Sequence, residues 1–111
     1  MTQVFSFKLT LAAVALASAF GGSSVALAAD GAALAKSSNC LVCHSVDTKK
    51  IGPAFKDVAA KYQGQADAPA MLAAKIQKGG SGNWGKTPMP PNPKVDDATA
   101  KELVAWILSA K

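Results

Sequence analysis

The sequence predicts a small all-α domain. Three observations carry that expectation. Apolar residues recur at helical spacing in several short segments, no segment alternates apolar and polar residues as a half-buried strand does, and glycine and proline punctuate the segment ends. At 111 residues, 50% hydrophobic but only 6% aromatic, the chain accommodates one domain of ordinary size, which excludes multidomain enzymes.

The apolar residues are unevenly spread. Leu9 to Phe20 is nearly free of polar residues, follows Lys8 and leads to Ala26-Leu27-Ala28. A positive flank, an apolar run and a small-residue cleavage pattern are the parts of an export signal. A membrane-spanning helix needs about 20 apolar residues, and Gly21, Gly22, Ser23 and Ser24 interrupt this run too early. Residues 1–28 are therefore read as a cleaved secretory signal peptide and 29–111 as the folded domain, with no stable membrane insertion after cleavage.

Within the domain, Gly31 to Asn39 is Ala-rich and compatible with two helical turns capped by Asp30, delivering Cys40 at its end. Pro53 at a first helical turn, then Phe55, Val58, Ala59 and Tyr62, predict a second helix of about three turns that closes near Gly64. Pro69 opens a third, in which Leu72 and Ile76 share a core face and Gly79-Gly80 makes the stop. From Gly79 to Pro93 the chain has no period and much glycine and proline, so a long irregular loop is expected. Loops of that length in small domains are usually functional or disordered. Asp96 caps the final helix, where Ala100, Leu103, Val104 and Ile107 recur at helical spacing, widened by Trp106 and Leu108.

Twelve basic residues, all lysine, face seven acids for a net charge of +5. The absence of arginine and of any block of like charge argues against nucleic acid, whose phosphates favour bidentate arginine and basic clusters. A single lysine most often just solvates a helix face.

The segment with the most specific chemistry is Cys40-Leu41-Val42-Cys43-His44. Two thiols three residues apart on one turn can add to the two vinyl groups of a haem, and the next residue, His44, can turn its imidazole to the iron. His44 is the only histidine in the chain. A zinc site would lack a second ligand pair. A redox dithiol wants a βαβ setting, and a disulfide closing so tight a loop removes little chain entropy. Met89, inside Thr87-Pro88-Met89-Pro90-Pro91, is the candidate second axial ligand, because flanking prolines limit its backbone freedom. A thioether ligand raises the potential relative to two imidazoles, which suits an electron carrier. The alternative is a gap-filling core methionine, the reading that suits Met71 on the third helix.

Taken in order, CLVCH, IGPAFKDVAAKY, GNWGKTPMPPN and the closing LVAWILSAK make the chain resemble the small bacterial class I cytochromes c of the periplasmic c-551/c-552 type, over essentially all of the mature part. The resemblance implies about four short helices wrapped around one covalently bound haem c, attached through Cys40 and Cys43, with His44 and Met89 as axial ligands and a long Gly/Pro-rich loop carrying Met89. It implies that the Pro53 carbonyl accepts a hydrogen bond from His44, alongside its reading as a helix-start residue. It implies that the Asn92 amide approaches the Met89 sulfur, where the residue alone reads as a turn former. The Trp84 indole would reach a haem propionate or, failing that, cover apolar haem surface. Lys75 stands where several relatives have a propionate-binding arginine, and exchanges a planar fork for a point charge.

The function implied is that of a periplasmic one-electron carrier, a monomer and not an enzyme. Its redox partners would be of the kind of a quinol-oxidising complex, a periplasmic nitrite reductase or a terminal oxidase. Lys49, Lys50 and Lys86 flank the haem-bearing segments and are candidates for a docking ring, though each can equally be solvated. The rival reading is a sensor or peroxidase-like protein with an open sixth iron position. Against it, the chain has no second histidine, no arginine and few buried acid/base candidates for peroxide chemistry.

Overall fold

The computed structural model describes Gly21 and residues 27–111. The export segment read at 1–28 lies outside the described residues, save Gly21, Leu27 and Ala28. Among the described residues four helices follow in order: α1 (Leu27–Ser37), α2 (Phe55–Tyr62), α3 (Ala68–Lys78) and α4 (Asp97–Leu108). A single 3-10 turn, Cys40–Val42, follows α1, and a short antiparallel hairpin of β1 (Gly80–Gly82) and β2 (Gly85–Met89) follows α3.

Helix α4 is the hub on which α1, α2 and α3 all pack. Its apolar residues lie three and four apart, so Ala100, Leu103, Val104 and Ile107 fall on one face and are buried together. The Asp96 side chain accepts the Thr99 backbone N–H at 2.7 Å and satisfies one of the free donors of the first turn. Opposite α4, helix α2 contributes Phe55, Val58 and Tyr62 to the core, and α3 contributes Ala68 and Ile76. Met71 and Leu72 pack half-buried against the same cluster, as expected of them.

Three local expectations are corrected. Helix α1 starts at Leu27, so Asp30 lies inside it and does not cap it; the alanines on either side propagate the helix past Gly31. Helix α2 spans 8 residues, little more than two turns, and its cap is Ala54. Pro53 therefore precedes the helix and is not its first residue. Its carbonyl is not claimed by the helical ladder, which begins with Asp57 and Val58 N–H bonding the Ala54 carbonyl.

The third correction concerns the loop expected from Gly79 to Pro93. It contains the hairpin, with Gly80 opposite Met89, Gly82 opposite Gly85 and a register irregularity between. Its pairing is made by backbone alone. Three of the residues that set the register are glycines, and all but Met89 are exposed. No apolar alternation exists there to be read. Gly79 makes the exit from α3 possible: its φ is 70°, and a Cβ at this position would collide with the Met89 carbonyl.

Candidate haem site

The cysteine segment is shaped by its backbone. The Cys43 and His44 N–H groups both bond the Cys40 carbonyl, at 3.2 and 2.9 Å, which winds the segment into one tight turn. Asn39 enters it at φ 60°, a left-handed conformation that asparagine tolerates. The Lys50 ammonium bonds the Leu41 carbonyl at 2.9 Å, across the loop. Neither cysteine is engaged in a disulfide, and both are half-buried. Burial pushes the Cys40 thiol above its ordinary value, offset in part by a backbone hydrogen bond and reinforced by the neighbouring Cys43.

His44 is held from three sides. Its Nδ1 lies 2.8 Å from the Pro53 carbonyl. A carbonyl can only accept, so Nδ1 carries the proton and Nε2 keeps its lone pair for a metal. The ring stacks on Phe55 with centroids 5.0 Å apart and planes 18° from parallel. Phe55 in turn meets Trp106 edge-on at 5.4 Å, so the imidazole rests on the aromatic part of the core. On the third side Gly52 closes in, and a Cβ there would lie 2.5 Å from the imidazole Cε1. The loop that brings Gly52, Pro53 and Phe55 to the histidine is pinned by Gly52 N–H to the Cys43 carbonyl, 2.8 Å, and Phe55 N–H to the Ser45 carbonyl, 2.9 Å.

All eight residues singled out from the sequence line one cleft of about 750 Å³: Cys40, Cys43, His44, Pro53, Lys75, Trp84, Met89 and Asn92. Met89 enters from the end of β2 and packs half-buried against the core. The Asn92 amide donates to the Ile76 carbonyl at 3.0 Å and to the Pro90 carbonyl at 3.4 Å, tying the methionine loop to α3. The Lys75 ammonium lies against the Gly80 backbone. Trp84 is 42% exposed, and its ring lies under the Lys61 ammonium at 4.4 Å. Lys49, Lys50 and Lys86 are all exposed.

These residues fit a haem. The cleft volume falls within the roughly 300–1,000 Å³ typical of cofactor sites. Its lining is mostly apolar, and exposed Val42 and Ile51 continue it to the surface. Two thiols and a metal-ready imidazole nitrogen face the same space. Among the described residues no group of three or more His, Cys, Asp or Glu gathers to hold a bare metal ion. Two contributors had no role assigned from the sequence. Gly52 lies inside the quoted Ile-Gly-Pro segment, and the glycine itself is the one local signal of a close approach there. Phe55 read as core alone, and its stacking on His44 has no local signal.

Comparison with known proteins agrees with the geometry. The family model described as cytochrome c matches residues 28–111. The chain is 57% identical over 81 residues to cytochrome c-551 of Azotobacter vinelandii, covering 73% of this chain and 98% of that one. It is 58% identical over 78 residues to cytochrome c-552 of Hydrogenobacter thermophilus, covering 70% and 79%. The crystal structure of wild-type Nitrosomonas europaea cytochrome c552 superposes with a TM-score of 0.70 at 57% identity, over 72% of this chain and 99% of that one. Motif, fold and kinship agree that the chain belongs to the cytochrome c family, as a small class I cytochrome c that carries electrons on one covalently attached haem c.

Proposed function

We propose that this cytochrome is an exported, periplasmic one-electron shuttle whose haem iron is held between His44 and Met89. The observation that carries the reading is the pairing of two ligands in one cleft: an imidazole with Nδ1 committed to Pro53 and Nε2 free, and a half-buried thioether on the hairpin. The bound haem supplies a one-electron ferric/ferrous couple, with a potential set by its ligands and surroundings.

The chain's own residues do the rest. Cys40 and Cys43 anchor the ring covalently, and Pro53, Gly52 and Phe55 fix the imidazole plane. Asn92 orients the loop that presents Met89, and Trp84 and Lys75 meet the propionates. With His44 and Met89 both holding the iron, no position would be left for a substrate, and the protein would act as a carrier and not an enzyme.

Electrons then pass between docked proteins. Exposed Lys49 and Lys86, with Lys50, favour acidic patches on partners and fast, salt-sensitive encounters of a monomeric carrier. A quinol-oxidising complex, a periplasmic nitrite reductase or a terminal oxidase would be such partners. Export rests on the signal-like segment 1–28. It is supported by the family match that begins at residue 28.

The test is the near-red absorption of the ferric holoprotein, where a methionine sulfur to iron charge-transfer band belongs. The expected result is a band in wild type that is lost in Met89→Ala. A wild-type protein without the band, whose ferrous form binds carbon monoxide promptly, has an open sixth position and overturns the reading.

A further inference from the structure

The hairpin carries Met89 at one end and Trp84 near its turn, yet it buries almost nothing. Every residue from Gly80 to Pro88 is exposed. A two-stranded hairpin is marginal in water on its own, so this one keeps its place through tethers to the helices. At its base, Asn92 is bonded through backbone and side chain to the last turn of α3.

At its far end the tether is a single side chain. The Lys61 ammonium, from α2, donates to the Asn83 carbonyl at 2.7 Å and sits 4.4 Å from the centroid of the Trp84 ring. One cation thus grips a backbone acceptor and an aromatic face of two successive residues, 22 and 23 positions along the chain. A charged donor makes the stronger kind of hydrogen bond, and the negative face of an indole is the best aromatic partner for a cation. The post itself is firm, because Phe55, Val58, Ala59 and Tyr62 bury the other face of α2.

We infer that Lys61 is a positioning residue, a latch from α2 that holds the tip of the hairpin and so keeps Trp84, and through β2 Met89, against the haem cleft. The consequence for Met89 rests on its proposed role as iron ligand; the hold on the hairpin does not.

The experiment compares holoprotein of wild type, Lys61→Ala, Lys61→Gln and Lys61→Arg. Amide hydrogen exchange is followed at Asn83 to Met89 and along α4, and imidazole is titrated into the ferric form while the near-red band is watched. The cation grip at an exposed site predicts that Lys61→Ala speeds hairpin exchange and tightens apparent imidazole binding by about two- to fivefold each. Exchange in α4 should stay unchanged. Lys61→Arg restores both values, and Lys61→Gln, a donor without charge, restores neither fully. Unchanged hairpin exchange in Lys61→Ala overturns the latch, as does an equal acceleration in α4 that arginine fails to rescue. If wild type has no near-red band, the ligand role of Met89 falls, while hairpin exchange still decides the latch.

Discussion

The two sides of the haem cleft are built on different principles. On the histidine side, Cys40 to Phe55 folds back on itself: two amides share the Cys40 carbonyl, Gly52 and Phe55 bond back to Cys43 and Ser45, and the imidazole lies against a buried phenylalanine. On the methionine side, the hairpin is exposed from Gly80 to Pro88, with only Met89 half-buried, and is fastened by the side chains of Asn92 and Lys61. Of the two proposed iron ligands, the first, His44, is set by local backbone and core packing. The second is set by remote side chains that can be cut singly. If His44 and Met89 hold the iron as proposed, the methionine should be released at less cost than the histidine, and local opening of the cleft should begin at the hairpin.

The largest test removes what both sides close upon. In Cys40→Ala with Cys43→Ala, the thioether anchors are gone, and a domain this small has little core of its own. Most of the far-ultraviolet helical signal should be lost. A double variant that keeps it would mean that the helices need no attached haem.

Phe55→Ala comes next and strikes the histidine side. Truncating a buried phenylalanine costs about 3–5 kcal/mol, here adding the loss of support beneath His44. Denaturant unfolding should report that loss, while the near-red methionine band at low denaturant persists. Asn92→Ala strikes the other side and reverses the pattern. Losing the Asn92 side-chain bonds, while its backbone N–H still bonds the Ile76 carbonyl, costs only about 1 kcal/mol of global stability, yet imidazole should displace Met89 more readily than in wild type. If the two variants gave the same pattern, the two sides would not be distinct.

The smallest effect lies away from the cleft. Asp96 is held below the usual carboxylate range by its hydrogen bonds to Thr99. A depressed carboxylate pKa contributes stability above the unfolded-state value and loses it as pH falls through the folded one. Acidification below about pH 4 should therefore weaken the α4 cap, and Asp96→Ala should flatten that part of the stability profile. Thermal melts between neutral and acid pH measure it.

The difference between the two sides also decides what could be read from the sequence. Residues that act locally or periodically were legible: the Cys40-to-His44 spacing, the face of α4, the Asp96 cap and a methionine fenced by prolines. Pro53 was legible as a partner of His44 only through the family resemblance, and not as the residue ahead of the helix, because the start of α2 depends on how the loop closes. The hairpin escaped because its pairing uses backbone groups, and its exposed, glycine-rich strands have no alternation. Contacts between distant residues left no local trace at all: Phe55 under His44, Lys50 on the Leu41 carbonyl, Lys61 on Trp84.

The most direct test of the inequality is a guanidinium titration of the ferric holoprotein followed at two signals. The near-red band reports Met89 on the iron, and far-ultraviolet ellipticity reports the helices. The account predicts that the band disappears at clearly lower denaturant than the helical signal. Coincident loss of the two would contradict it, since the methionine side would then be as firmly built as the histidine side.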